Sequence, residues 1–241
     1  MKRLLGAAPE SAGSSAAIFL LVVIGLAVVQ HVVPRPMLIL DRLAPGFGSV
    51  EVLLLAVYGA WMGEKLLDVG RSAVWRRRLW WLFSIVFFAQ LALGLSGLDQ
   101  CLMTPGKLHL PVPALVAAGP LFRGERFFMP ILFGTTLLLV GPAWCSHLCY
   151  LGVWDSAAAD ARRRPARRPG WHHPTRVAIL ALVLGAALAL RLFGAPLAVA
   201  FGVALAFGLG GVLVMLLLSR RSGAMVQCTV YCPMGLLANL L

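Results

Sequence analysis

The sequence predicts an all-α, polytopic membrane helix bundle with about six transmembrane helices, N-in and C-in, forming a single integral membrane domain over 1–241. Composition is the first observation: the 241-residue chain is 60% hydrophobic and only 12% charged, where a soluble domain is near half apolar and about a quarter charged. Its mean hydropathy is +0.88. The second is that the apolar residues come in runs close to the roughly 20 that cross hydrocarbon; in lipid such runs must be helical, because an unpaired backbone group is costly there. The third is charge. The formal net charge of +12 is concentrated between the apolar runs, as in cytoplasmic loops that face anionic lipid, and this pattern speaks against nucleic acid as a partner.

The first run, 16–33, follows Lys2 and Arg3 and a polar stretch from Glu10 to Ser15. It is longer than a signal-peptide core and lacks a small-residue cleavage site before Pro34, so it reads as a retained helix. The second, 50–67, is weaker, with Glu51 and Glu64 near its ends. The third is 79–98, opened by Trp80 and Trp81, and the fourth is 127–144. The fifth, 177–193, and the sixth, 197–218, are joined by a tight Gly194–Pro196 turn and form a hairpin. Between the third and fourth runs, 108–122 is apolar but broken by Pro111, Pro113 and Pro120, which predicts an interfacial or re-entrant piece.

Lys and Arg set the orientation. With the N-terminus inside, the inner segments hold Lys2, Arg3, Lys65, the Arg71–Arg78 cluster, the arginines of the basic loop 156–176, and Arg220 and Arg221. The outer side holds the smaller set, Arg35, Arg42, Lys107, Arg123, Arg126 and Arg191. Pro165, Pro169 and Gly170 argue against a long helix in the basic loop.

The sequence carries its chemistry in two matching motifs. Cys145 and Cys149 read C-S-H-L-C-Y-L-G, and Cys228 and Cys232 read C-T-V-Y-C-P-M-G. Each is C-x3-C-x2-G, and each follows a long apolar run at the expected cytoplasmic face. The third and fourth runs end in one motif and the fifth and sixth in the other, a weak internal repeat that would bring both pairs to one spot. Residues four apart share a helix face, with Cβ atoms about 5–6 Å apart. Pro233 would end the helix at Cys232, and Gly152 and Gly235 allow a turn or a close approach. Four soft thiolates are the set that binds a [4Fe–4S] cluster; a four-cysteine zinc site and separate redox-active or inert thiols are the other readings. A disulfide within either pair is disfavoured on a reducing face.

Other candidates are weaker. Cys101 has no partner on its side. His147, inside the first motif, is a candidate neighbour that tunes a cluster. Gln90 lies near the middle of the third run, and polar residues in the membrane are functional candidates; for Glu51 and Glu64, snorkelling interfacial charge competes with a quinone or proton role.

The motifs and their placement resemble the polyferredoxin-like membrane proteins, such as the NapH subunit of periplasmic nitrate reductase systems, NosR of nitrous oxide reduction and MauN of methylamine utilisation. These carry paired C-x3-C-P motifs at the inner ends of transmembrane helices. The stretch 228–235 matches fully, and 145–152 matches except that Tyr150 stands in place of Pro. The resemblance covers roughly 79–241. It implies a multi-pass protein of the bacterial inner membrane that holds a [4Fe–4S] cluster through Cys145, Cys149, Cys228 and Cys232. Such a protein would relay electrons between a quinone pool or soluble donor and a partner redox subunit, ferredoxin-like or cytochrome, as part of a quinol dehydrogenase or oxidoreductase system rather than as a stand-alone enzyme. Typical members continue into a cytoplasmic ferredoxin domain. This sequence reaches Leu241 shortly after Cys232, so further clusters are expected on another subunit. The alternative is a non-catalytic anchor or assembly subunit with a structural zinc.

Overall fold

A computed structural model describes residues 8–32, 38–98, 110–124, 127–141, 143–162 and 172–240. Regular structure among them is entirely helical, as expected. The chain divides into two compact units, Met1–Pro105 and Gly106–Leu241.

In the first unit, α1 (Ala8–Val32) packs on α3 (Gly48–Leu67), with the short α2 (Ile39–Leu43) between them in sequence and α4 (Ser72–Leu95) following. Small residues allow the α1–α3 approach. A Cβ on Gly59 would sit 3.4 Å from Val22, and one on Gly63 would overlap the Ile18 side chain. Gly59 and Gly63 thus form a small-xxx-small stripe that receives two β-branched residues one turn apart, a packing mode suited to lipid, where apolar burial does not drive association. Two charged residues are used structurally here. Glu51 accepts the backbone N–H of Leu40 at 2.6 Å and of Ile39 at 3.3 Å, placing a carboxylate at the start of α2, where N–H groups lack intrahelical partners. Glu64 accepts the Ser15 hydroxyl at 3.0 Å and so ties α3 to α1. Gln90 lies on α4 with its Oε1 buried and without a hydrogen-bond partner among the described residues.

In the second unit, α5 (Leu115–Arg123) and α6 (Phe128–Val140) lead to a π-helical turn at Trp144–Leu148 and to α7 (Gly152–Asp160). The hairpin of α8 (His172–Leu192) and α9 (Leu197–Val214) follows. α9 runs on through a π turn at Met215–Ser219 into α10 (Arg220–Ser222); a third π turn at Gln227–Tyr231 precedes α11 (Met234–Leu240). The hairpin closes as the sequence indicates. Gly194 takes φ +61°, its N–H bonds the Arg191 carbonyl, and the Ala195 N–H bonds the Leu190 carbonyl. This is a Schellman motif, and Pro196 then starts α9.

Among the described residues, four helices are long and apolar enough to cross a membrane: Gly13–Val32, Ser72–Leu95, His172–Leu192 and Leu197–Ser222. Their large side chains face outward, as lipid-facing residues do: Leu21 is 72% exposed, Leu182 65% and Leu209 60%. The expected count of six is not reached among the described residues, for two physical reasons. α3 has 20 residues but carries Glu51, Glu64 and Lys65. α6 has 13 residues, about 20 Å of helix against a hydrocarbon core of about 30 Å, and it stops at Gly141. The Pro-broken outer stretch forms the nine-residue α5, too short to span. The basic loop is partly helical, since α7 reaches Asp160 and α8 begins at His172. Its middle, like Cys101, lies outside the described residues.

Candidate metal centre

The two cysteine motifs fold alike. Each sits on a π turn rather than the α turn that their spacing suggests. The Cys149 N–H reaches back to the Trp144 carbonyl at 3.0 Å, and the Cys232 N–H reaches the Gln227 carbonyl at 2.8 Å. In both, the acceptor is the residue just before the first cysteine. Each second cysteine then leaves in an extended conformation, Cys149 with φ −73° and ψ 111°, Cys232 with φ −78° and ψ 116°. Pro233 enforces this at Cys232. Cys149 reaches the same geometry with Tyr150 behind it, so the missing proline does not alter the turn. π bulges of this kind are enriched at functional sites.

The sulfurs of the second cysteines receive backbone donors in register. Leu151 and Gly152 donate N–H to the Cys149 sulfur, and Met234 and Gly235 donate to the Cys232 sulfur. These donors open α7 and α11, so each of these sulfurs stands at the positive end of a helix. The packing is reciprocal: α7, which follows the first motif, rests on the second motif's turn, and α11, which follows the second, rests on the first motif's turn.

This exchange brings the pairs together. All four cysteines are free and half-buried. Cys149 is close enough to both Cys228 and Cys232 for like thiolate charges to disfavour each other, as is Cys145 to Cys232. Burial pushes the Cys145 thiol up to about 11, with Cys149 adding to the rise and Arg176 opposing it. Burial, then repulsion from Cys149, takes Cys232 up to about 12. Cys149 and Cys228 are raised as well, burial again leading. Burial and mutual repulsion both favour the protonated thiols, and binding a metal centre requires their deprotonation.

Several polar residues that the sequence did not flag surround the pairs. Asp155 on α7 is fully buried; its Oδ2 accepts the Cys228 N–H at 2.9 Å, and the Ser219 hydroxyl also donates to it. Burial raises the Asp155 carboxyl, and these donors oppose the rise. Ser219, itself buried, accepts the Val226 N–H at 3.0 Å and the Gln227 N–H at 3.3 Å. The Cys228 thiol donates to Gln227 Oε1 at 3.1 Å. Arg176 donates from Nη2 to the Cys228 carbonyl at 3.1 Å. Tyr231 stacks on Phe207 at 4.7 Å and donates its hydroxyl to the Phe207 carbonyl at 2.8 Å. Gly210 and Gly211 give it room, since a Cβ on either would sit 2.8 Å and 3.2 Å from the Tyr231 side chain. None of these contacts is a motif, and only tertiary placement reveals them.

The remaining sequence candidates near the motifs are placed as follows. His147 Nδ1 pairs with Ser146 Oγ at 2.9 Å and with the Ala143 carbonyl at 3.1 Å, which holds its ring against its own turn. Gly152 bonds the Cys149 carbonyl at 3.1 Å and opens α7. Pro233 is fully buried beneath the second motif. A Cβ at Gly235 would lie 3.0 Å from the Cys228 carbonyl oxygen and 3.1 Å from Arg176 Nη2.

The candidate donors are four thiols, the ligand type that iron–sulfur clusters and zinc both take. Among the described residues no three His, Cys, Asp or Glu groups are arranged to hold a metal ion. Tetrahedral zinc with bonds of about 2.3 Å would draw its sulfurs to about 3.8 Å from each other. A four-iron cubane lies between its cysteines and holds them wider apart, and N–H donors aimed at cysteine sulfur suit it. Two buried polar atoms beside the thiols, Asp155 Oδ1 and Arg176 Nε, also have no partner among the described residues.

Comparison with known proteins agrees on the cofactor. The family described as a 4Fe-4S binding domain matches residues 126–169, a stretch that includes Cys145 and Cys149. No curated protein and no solved structure matches the chain. The matched family and the apolar helices support a membrane iron–sulfur protein; zinc finds no support.

Between α5, α8 and α9 lies a partly open apolar cavity. It is lined by helical stripes such as Ala118, Gly119 and Phe122 of α5 and Ala200, Ala204 and Phe207 of α9.

Proposed function

We propose that this protein is an electron-transfer component of the bacterial inner membrane. It holds one [4Fe–4S] cluster at the cytoplasmic face through Cys145, Cys149, Cys228 and Cys232, and it passes electrons between a quinone pool or soluble donor and a partner redox subunit, ferredoxin-like or cytochrome. The observation that carries this reading is the convergence of two like-folded cysteine turns whose following helices exchange places. The cluster supplies one-electron chemistry. The chain's own residues position the thiolates, exclude water with Pro233, Met234 and Leu236, all buried, and direct N–H groups at sulfur.

A membrane quinone as donor is favoured by the cavity, whose apolar lining suits an isoprenoid tail and includes Phe207, the residue stacked on Tyr231 of the second motif. The N-in, C-in orientation rests on the arginine distribution. The relay is tested in liposomes, with the loaded protein mixed with a reduced quinol or a low-potential reductant and followed by its visible absorption. Reversible bleaching and recovery are expected. A cluster that bleaches only with destruction contradicts the relay.

A further inference from the structure

Arg176 stands near the start of α8 with its guanidinium only partly used. Nη2 donates to the Cys228 carbonyl at 3.1 Å. Nε is buried and meets no acceptor among the described residues, although a buried donor left unmade is costly. The charge lies near enough to Cys145 to act on its thiol. Room for the group is kept by Gly235, where a Cβ would come 3.1 Å from Nη2. So a cation fastened at one nitrogen, and with another unpartnered among the described residues, sits beside Cys145 and Cys228.

A cubane bound by four thiolates is a net anion, and reduction adds a further negative charge. A nearby cation therefore favours the reduced form. We propose that Arg176 is the charge and hydrogen-bond partner of the cluster: its Nε–H serves a cluster sulfur, and its charge raises the reduction potential. The inference rests on the cluster reading above. The plainer role, a brace on the Cys228 carbonyl, predicts a loss of stability or loading with no change in potential.

The test is an EPR-monitored redox titration of the full chain, with iron content measured alongside, for wild type, Arg176→Gln and Arg176→Lys. At the potential where wild type is half reduced, the Gln variant is expected to show a reduced-to-oxidised ratio about tenfold lower, a shift of about 59 mV for a one-electron couple. The Lys variant keeps the charge but loses the Nε–H donor, so its ratio is expected to fall between those of wild type and the Gln variant. A loaded Gln variant that titrates like wild type overturns the inference, as does a Lys variant shifted as far as Gln. If the Gln variant fails to load, Arg176 acts as the brace on the Cys228 carbonyl and the inference is overturned. A wild-type chain without iron overturns the cluster reading itself, a separate failure.

Discussion

The backbone N–H of Cys228 donates to Asp155 Oδ2 at 2.9 Å, across 73 residues of chain. Asp155 belongs to the helix that follows the first motif, and Cys228 opens the second. One buried carboxylate therefore sets the two cysteine pairs against each other, and Ser219 fastens the same carboxylate from the end of the π turn after α9.

Truncating that carboxylate should loosen the site. Asp155→Ala leaves the Cys228 N–H and the Ser219 hydroxyl without their acceptor and is expected to lose about 2–4 kcal/mol of stability. Iron per chain should fall with it. Asp155→Asn keeps the shape and one acceptor oxygen, so its loss should be smaller. Thermal unfolding in detergent with parallel iron assays checks both; an Ala variant as stable and as loaded as wild type would contradict the clamp.

Gly235 is a second sensitive point. A Cβ there meets a backbone carbonyl 3.0 Å away on one side and the Arg176 guanidinium on the other, and backbone yields little. Gly235→Ala should cost about 1–3 kcal/mol through overpacking and reduce loading. Gly185→Ala on α8, where nothing lies within 4 Å, is the control and should stay within about 1 kcal/mol of wild type. Equal melting shifts for the two would count against the packing account.

The thiols predict how stability varies with pH. Their folded values lie above the ordinary 9.0, Cys145 at about 11 and Cys232 at about 12. Between those limits the folded apo chain binds more protons than the unfolded chain, so its stability is fully present below pH 9 and falls as pH rises through about 11. A loaded cluster, whose thiolates are already deprotonated, should flatten that decline. Denaturation midpoints of apo and loaded protein from pH 7 to 11 compare the two; parallel curves would show that the thiols do not titrate as a buried group.

The legible part of this fold is the part built from repetition and composition. Apolar runs marked the long helices, and the duplicated C-x3-C spacing singled out two stretches that fold as like π turns. The Gly194–Pro196 hairpin followed from turn chemistry. Span counting is where hydropathy and geometry separate: α6 is strongly apolar but ends at Gly141 after 13 residues. Asp155, Ser219 and Arg176 were illegible for another reason. Each is a single polar residue beside a loop or helix end, where solvated charge is the ordinary outcome, and only contacts distant in sequence bring them to Cys228. Gly59 and Gly63 could have been read from their spacing, but which helix they receive is a tertiary fact. Glu51 and Glu64 read as snorkelling interfacial charges set against a quinone or proton role; the structure shows Glu51 accepting the N–H groups that open α2 and Glu64 accepting the Ser15 hydroxyl.

The shared centre is tested most directly by metal stoichiometry in pairwise variants. Anaerobically purified wild type should carry about four irons per chain with matching sulfide. Cys145→Ser/Cys149→Ser and Cys228→Ser/Cys232→Ser should each lose nearly all of it while remaining folded in detergent. Retention of half the metal in either double variant, or zinc in place of iron in wild type, would contradict a single cluster held by both pairs.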